Sequence, residues 1–279
     1  MRNKGNNRYI MSALLFILIV CLILMSRAYV VSVCHKARQK EMIQAVVQEQ
    51  PEKQAQAGEK QAVTEAEQSG EPEAVSMPAQ ASEQEKTPML AQYAVLYEKN
   101  SDMTGWLSIE GTVIDYPVMR CKDNEYYLHH DFYGEDDKYG CLFVKDIADV
   151  DTPDTNFTIY GHNMKDGSMF GSLDSYQEKS FYREHTEISF DTLYEERSYQ
   201  VMAVFLSQVY TEDAEVFKYY NFYEARTPEE FAEFYENVKE LSLYDTEVTA
   251  EYGDTFLTLS TCAYHVEDGR FVVVAKRIK

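Results

Sequence analysis

The sequence lacks the cysteine patterns that hold metal ions or disulfide frameworks. Only five cysteines occur among 279 residues, and they follow no regular spacing: Cys21, Cys34, Cys121, Cys141 and Cys262. No Cys-x-x-Cys pair is present, which argues against a zinc site or a disulfide scaffold. The count is odd, so at least one thiol is expected to be free, while a bridge between Cys121 and Cys141 stays open.

Basic residues are scarce, and the motifs that bind nucleotides are missing. The chain has 26 Lys and Arg against 47 Asp and Glu, a net charge of −21. Residues 1–40 hold seven of the basic residues and no acidic one, so the remainder carries 19 − 47 = −28. A nucleic-acid-binding protein needs a basic face, and none is expected here. There is also no P-loop, no Gly-rich dinucleotide fingerprint and no Gly-x-Ser-x-Gly elbow of a serine hydrolase.

An uncharged hydrophobic run of seventeen residues, Tyr9 to Met25, lies near the N-terminus. A membrane-spanning helix needs about 20 apolar residues, and residues 28–33 extend this run. We therefore predict a signal-anchor over residues 9–33, preceded by a cytoplasmic tail of residues 1–8. The plasma membrane would then be one partner of the chain.

Two other interpretations of this N-terminal run are weaker. A cleaved signal peptide would end in a small-x-small site, and none stands out. A lipoprotein site at Cys21 would need a small residue before it, where Val20 stands. Basic residues flank the run on both sides, so the charge alone leaves its orientation open.

A polar segment separates the predicted anchor from the rest of the chain. Residues 41–86 are rich in Glu, Gln, Ala and Ser and contain no aromatic residue. Such a composition cannot bury enough apolar surface to fold. We predict a flexible spacer over residues 34–86 and a folded domain over residues 87–279.

Short strands and a few helices are predicted in this domain. Thr87-Pro88 is typical of a helix start, with Leu90, Tyr93, Ala94 and Tyr97 as its apolar stripe. Thr227-Pro-Glu-Glu230 is a capping box that opens a helix over residues 228–241, whose stripe is Phe231, Phe234, Tyr235, Val238 and Leu241. Strand-like runs occupy residues 105–109, 112–119, 141–144, 156–161, 187–190, 197–206, 255–262 and 270–276. The pattern indicates a mainly β barrel or sandwich with an inserted helix.

The last two predicted strands bring a thiol and a cation together. Alternation places Phe256, Thr258, Ser260 and Cys262 on one face of the first strand, with Cys262 at its end. Seven residues, Ala263 to Gly269, separate it from Arg270, which opens the next strand. A cysteine at a strand end is more often a small buried hydrophobic residue than a nucleophile.

A cysteine nucleophile also needs a base, and the chain has six histidines. His162 is the strongest candidate, because it follows a strand in a predicted tight turn at residues 161–163. His129 and His130 are equally compatible with surface loops. His265 forms a Cys-x-x-His pair with Cys262, but the second ligand pair of a metal site is missing. The guanidinium of Arg270 is suited to hold a developing oxyanion. The alternative is that Arg270 pairs with the abundant surface carboxylates.

The domain resembles a class B sortase of Gram-positive bacteria. The matching motifs are Asn100-Ser-Asp-Met-Thr-Gly-Trp-Leu-Ser-Ile, Gly111-Thr-Val-Ile-Asp-Tyr-Pro-Val, Tyr160-Gly-His-Asn-Met-Lys-Asp-Gly-Ser-Met-Phe, Thr258-Leu-Ser-Thr-Cys262 and Arg270-Phe-Val-Val-Val-Ala-Lys276. The resemblance covers residues 89 to 279. It implies a closed eight-stranded β-barrel with an N-terminal helix and a helix inserted between the sixth and seventh strands. It also implies that the domain lies outside the cell.

The same resemblance implies a chemistry. Cys262 would attack the Thr carbonyl of a C-terminal sorting motif, forming a thioacyl enzyme, with His162 as general acid and base and Arg270 holding the substrate. Ser260 and Thr261 would line the substrate groove. The implied partners are surface proteins bearing the motif and an amine from the peptidoglycan or another protein; no cofactor or metal is implied.

One feature departs from the family pattern, and two alternatives to this chemistry stay open. Class B relatives can carry acidic residues directly after the cysteine, where this chain has Ala263-Tyr264. A thiol peptidase would use the same groups with water as acceptor. A non-catalytic, membrane-tethered binding domain would instead bury an inert Cys262.

Overall fold

Residues 3–64, 87–152 and 155–279 are described by the computed structural model. The chain divides into two units, residues 1–44 and 45–279. The described part of the first unit belongs to helix α1, Asn3–Thr64. Its stretch Ala13–Val47 contains an 18-residue window with a mean hydropathy of 2.6 and is long and apolar enough to cross a membrane. Of the predicted spacer, residues 34–64 are helical and residues 65–86 lie outside the described residues.

Eight strands of the second unit close into one barrel. The strands are β1 Met103–Ser108, β2 Asp115–Met119, β3 Leu142–Val144, β4 Asn156–Tyr160, β5 Glu187–Thr192, β6 Ser198–Gln208, β7 Phe256–Cys262 and β8 Gly269–Arg277. Their order around the barrel is β1-β2-β3-β4-β7-β8-β6-β5. The β2–β3 and β4–β7 pairs are parallel and the others antiparallel. Closure removes the sheet edges, and the predicted eight-stranded barrel is confirmed.

The period-2 pattern of β7 divides its side chains between two hydrophobic clusters. Leu257 and Leu259 belong to the cluster that fills the barrel, together with residues of all the other strands. Phe256 belongs to a second cluster on the outer face, with Val272 and Val274 of β8. The predicted face of β7 that carries Cys262 is therefore the outer one.

Helix α5, Pro228–Leu241, covers part of this outer face. Thr227 Oγ1 accepts a hydrogen bond from the Glu230 amide at 3.2 Å, as expected for the N-cap of the predicted capping box. Phe231, Phe234 and Val238 are buried in the outer cluster. Leu241 is 43 % exposed, so its assignment to the stripe was wrong; the helix ends there.

Helix α2, Ala91–Lys99, begins three residues later than Thr87-Pro88 predicts. The Leu90 amide instead donates to the Leu193 carbonyl at 2.7 Å, which holds residue 90 outside the helix. The buried face of α2 is formed by Gln92, Tyr93 and Leu96. The predicted stripe is therefore right at Tyr93, whereas Ala94 and Tyr97 are only partly buried.

Two other short helices complete the domain: α3, Tyr126–His129, and α4, Lys179–Glu184. A 3₁₀ turn, Leu173–Gln177, precedes α4, where a short helix to about Tyr176 was predicted. A second 3₁₀ turn, Tyr219–Asn221, lies between β6 and α5. Helix α3 has no counterpart in the sequence prediction, because four residues are too few to show helical periodicity.

Candidate active site

Strands β7 and β8 place Cys262 directly beside Arg270. The two residues are Cα partners at the end of the antiparallel ladder. Directly opposed residues in such a ladder project to the same face, so thiol and guanidinium share the outer face of the barrel. Six residues, 263–268, connect the strands, and the Ala263 amide closes this loop on the Gly269 carbonyl at 2.9 Å. A Cβ at Gly269 would lie 2.2 Å from the Ala263 carbonyl oxygen, so only glycine fits this position.

His162 reaches the same place from β4. The parallel ladder with β7 pairs Tyr160 with Ser260, and two further contacts extend it. The Gly161 amide donates to the Ser260 carbonyl at 3.3 Å, and Thr261 Oγ1 donates to the Gly161 carbonyl at 2.7 Å. His162 lies two residues after Tyr160, and Cys262 lies two residues after its partner Ser260, so the two residues occupy equivalent positions on neighbouring segments. The structure brings the three predicted catalytic residues together at one end of the β4–β7–β8 sheet.

The predicted turn at residues 161–163 is wrong. The chain continues beyond β4 without turning, because the contacts with β7 hold it, and Asn163 pairs with Met169 in an antiparallel bridge. The turn lies further on, where the Gly167 amide donates to the Met164 carbonyl at 2.9 Å. His162 therefore stands at the base of a hairpin, and its backbone carbonyl accepts from the Phe170 amide at 3.0 Å.

A backbone carbonyl fixes the imidazole of His162. Its Nε2 lies 2.8 Å from the carbonyl oxygen of Leu128 in α3. A carbonyl can only accept, so Nε2 carries the proton of this bond and Nδ1 is left for other chemistry. His130 is engaged elsewhere: its Nδ1 contacts the Tyr126 carbonyl at 2.8 Å, and its Nε2 lies 3.4 Å from Asp136. No sequence pattern around Leu128 predicts its hydrogen bond with His162.

Arg270 is half-buried and bound to backbone. Its Nη1 donates to the carbonyl oxygens of Asp268 at 3.2 Å and Gly269 at 2.9 Å. No carboxylate forms an ion pair with Arg270 within the described parts of the chain. The structure thus does not support the alternative in which this cation pairs with a surface carboxylate.

The hydroxyls of Ser260 and Thr261 are both satisfied inside the protein. Ser260 is 1 % exposed, and its Oγ lies 2.7 Å from the hydroxyl of Tyr219. Burial raises the pKa of Tyr219 to about 12, although the bond to Ser260 and the charge of Arg270 oppose the rise. Tyr219 is therefore a neutral phenol at physiological pH. The substrate-binding role of Ser260 and Thr261 stays a prediction.

All five cysteines lie in the described parts of the chain, and none of them forms a disulfide. Cys21, Cys34, Cys121, Cys141 and Cys262 are all free thiols. Burial raises the pKa of Cys141 well above its usual range, so this thiol is not ionised at neutral pH. Among residues 3–64, 87–152 and 155–279, no three His, Cys, Asp or Glu side chains are grouped to hold a metal ion.

Comparisons with known proteins agree with this geometry. Residues 107–278 match the family model described as Sortase domain. Sortase B of Listeria monocytogenes is 37% identical over 188 residues, which is 66% of this chain and 72% of that protein. The crystal structure of sortase B from Bacillus anthracis in complex with AAEK1 superposes with a TM-score of 0.60 at 36% identity, over 70% of this chain and 90% of that one. The Staphylococcus aureus sortase B-substrate complex gives a TM-score of 0.62 at 32% identity, over 68% and 86%.

Proposed function

Since this chain belongs to the sortase family, and within it to the class B cysteine transpeptidases, we propose that Cys262 is the nucleophile of a peptide transfer reaction. The substrate would be the C-terminal sorting motif of a surface protein. The related Staphylococcus aureus structure is a sortase B-substrate complex, which supports a substrate site in this chain as well. The observation that carries the proposal is the pairing of Cys262 with Arg270 beside the extended end of β4.

Acylation would proceed by nucleophilic attack. The sulfur of Cys262 forms a bond to the Thr carbonyl carbon, and the peptide C–N bond breaks. Nδ1 of His162 takes the thiol proton of Cys262 and gives it to the departing amine, and the Thr acyl group remains on sulfur as a thioester. Because Nε2 of His162 is held by Leu128, we assign this proton transfer to Nδ1.

Arg270 would stabilise the negative charge that develops on the Thr carbonyl oxygen. Its two bonds to Asp268 and Gly269 hold one end of the guanidinium fork and leave other N–H donors for the substrate. Preorganised donors of this kind are among the largest contributions to acyl transfer.

Deacylation would use an amine of the peptidoglycan or of another protein. The amine nitrogen bonds to the Thr carbonyl carbon while His162 takes one of its protons, the C–S bond breaks, and the proton passes to the sulfur, which regenerates Cys262. The apolar part of α1 would anchor the chain in the membrane with the barrel outside, where sorting substrates and cell-wall amines are found. Ser260 and Thr261 would shape the floor of the groove beneath the substrate.

Mass spectrometry of the full chain in detergent tests this function. The chain is incubated with Asn-Pro-x-Thr-Asn-like and Pro-x-Thr-Gly-like peptides, with and without an amine acceptor, beside Cys262→Ala. We expect a thioacyl adduct on the unaltered chain alone, which added amine converts to a ligated product. Release only as the free acid, with every amine tested, would identify a thiol peptidase. An unchanged yield of ligated product from Cys262→Ala would refute the proposal.

A further inference from the structure

We infer that Asn163 is a positioning residue that fixes the nucleophile relative to His162, an inference that rests on the proposed function. Its Nδ2 donates to the backbone carbonyl of Cys262 at 2.8 Å and to Oδ2 of Asp174 at 2.9 Å. The side chain therefore joins the residue after the proposed base to the proposed nucleophile, 99 positions away in sequence. Asp174 lies in the 3₁₀ turn Leu173–Gln177 and anchors the other side of this bridge.

The bridge lies where the backbone ladder between β4 and β7 stops. The last regular pair is Tyr160 with Ser260, and the last backbone bond joins Gly161 to the Ser260 carbonyl. Beyond it, the side chains of Thr261 and Asn163 make the remaining bonds across the two segments. The segment that carries His162 thus donates one hydrogen bond, from the Asn163 side chain, to the Cys262 carbonyl.

The chemistry of the two acceptors fixes the orientation of the Asn163 amide. A carbonyl and a carboxylate both need N–H donors, so the NH₂ group must face them and the amide oxygen must face away. A flipped amide would place its oxygen against two other oxygens. The amide orientation is therefore not interchangeable, and an aspartate at position 163 could not make the same two bonds.

Asp174 supports the view that this arrangement serves the site. Its Oδ1 is buried and has no hydrogen-bond partner within the described residues, while its Oδ2 accepts from Asn163. A buried carboxylate oxygen without a donor is costly and calls for a reason. The orientation of Asn163 toward Cys262 supplies that reason. An apolar residue at position 174 would avoid the desolvation cost but could not accept a hydrogen bond from the Asn163 amide.

The bridge acts on the reaction through geometry, because Asn163 bonds to the backbone of Cys262 and to no reacting atom. Holding the Cys262 carbonyl fixes the strand end from which the thiol projects, and so fixes the position of the sulfur relative to His162. A displacement of about 1 Å in such a pair can cost on the order of 100-fold in rate. The effect should therefore appear in kcat rather than in substrate affinity.

Steady-state kinetics of the full chain in detergent, with a peptide and amine that it ligates, test the inference. For Asn163→Ala we expect kcat to fall about 10- to 100-fold while KM stays within about twofold. The partly exposed Asn237 of α5, whose Nδ2 bonds to the Glu233 carbonyl at 2.7 Å, gives the matched control Asn237→Ala, with unchanged kinetics. Melting temperatures are recorded for each variant, and rates are expressed per folded molecule.

A swapped pair separates positioning from a merely structural role. The double variant Asn163→Asp with Asp174→Asn preserves a hydrogen bond between positions 163 and 174 but leaves no donor for the Cys262 carbonyl. We expect it to remain folded and as impaired in kcat as Asn163→Ala. A kcat in the swapped pair equal to that of the unaltered chain would overturn the inference. An unchanged kcat of Asn163→Ala, expressed per folded molecule, would overturn it too. If the swapped pair does not fold, the Asn163→Ala result alone decides.

The failure of this inference is distinguishable from that of the proposed function. If Cys262→Ala remained active, Cys262 would not be the nucleophile. The proposed function would then fail, and the positioning role of Asn163 would fail with it. An inactive Cys262→Ala variant beside fully active Asn163 variants would leave the proposed function intact and refute the bridge alone.

Discussion

At the scale of single residues, Arg270 is the side chain whose exchange best tests electrostatic stabilisation. Lysine keeps the charge but loses the planar fork that reaches both the loop carbonyls and a substrate oxygen. For Arg270→Lys we expect kcat to fall roughly 100-fold or more, the size of loss seen when one oxyanion donor is removed. Ligation kinetics with the peptide and amine of the proposed reaction provide the measurement.

Arg277, the last residue of β8, offers the control for that exchange. Its guanidinium pairs with Glu195 near the other end of the strand. Arg277→Lys should leave kcat unchanged. Equal activity of Arg270→Lys and the unaltered chain would show that only the charge of residue 270 matters, or that it has no part in the reaction.

Local sequence patterns placed the proposed catalytic residues more readily than the residues that contact them. Period-2 alternation was enough to place Ser260 and Cys262 on one face, and Arg270 was visible at the start of the next strand. The bonds from Leu128 to His162 and from Asn163 to Cys262 join positions 34 and 99 residues apart. Such contacts depend on the closed barrel and have no local sequence pattern.

At the scale of secondary-structure elements, one hydrogen bond ties helix α2 to the barrel. The buried Tyr93 donates from its hydroxyl to Oδ2 of Asp191 in β5 at 2.6 Å. Tyr93→Phe should lower the free energy of unfolding at neutral pH by about 1–3 kcal/mol, because a largely buried carboxylate loses a donor. Tyr97→Phe, on the same helix, should cost less. Chemical unfolding of both variants gives the comparison.

The cost of Tyr93→Phe should also depend on pH. Burial raises the pKa of Asp191 above its usual value, and the bond from Tyr93 opposes that rise. A carboxyl whose folded-state pKa is raised stabilises the fold below its unfolded pKa and loses this contribution as pH rises through the folded pKa. Removing Tyr93 raises that pKa further, so the deficit should be largest near pH 7 and shrink as the pH falls through the raised folded-state pKa, which lies above the ordinary Asp value of about 4. A deficit that grows on acidification would contradict this account.

Elements with strong periodicity were predicted well, and boundaries set by distant contacts were not. Helix α5 begins and ends where its capping box and stripe indicate, because its signals are local. The start of α2 and the turn after β4 were misplaced, since Leu90 bonds to Leu193 and Gly161 to Ser260. In both places a long-range backbone bond overrides a local preference for helix or turn.

At the scale of the whole molecule, the residues alone left barrel and sandwich open. Closure depends on β1 pairing with β5, which brings Trp106 beside Asp191. No local pattern encodes that pairing, and the resemblance to the sortases was needed to predict it. The acidic charge of residues 41–279 is compatible with a cationic amine as acceptor, although charge alone does not identify one.

The apolar part of α1 makes a separate prediction about where the chain resides. All side chains from Leu14 to Val20 are more than a third exposed, which is unfavourable in water. In a membrane, Leu, Ile, Phe and Val each contribute roughly −0.3 to −0.6 kcal/mol near the centre of a helix. We therefore expect the chain to sediment with membranes, to resist extraction by high salt and alkaline carbonate, and to be released by detergent.

Deletion of residues 9–33 is the matching variant for this measurement. Without the apolar run, the remaining chain should appear in the soluble fraction and keep its ligation activity toward a soluble peptide, because no residue of the proposed site lies in α1. A chain released from membranes by carbonate would contradict an integral anchor. A shortened N-terminus in the mature chain, found by mass spectrometry, would instead identify the run as a cleaved signal peptide.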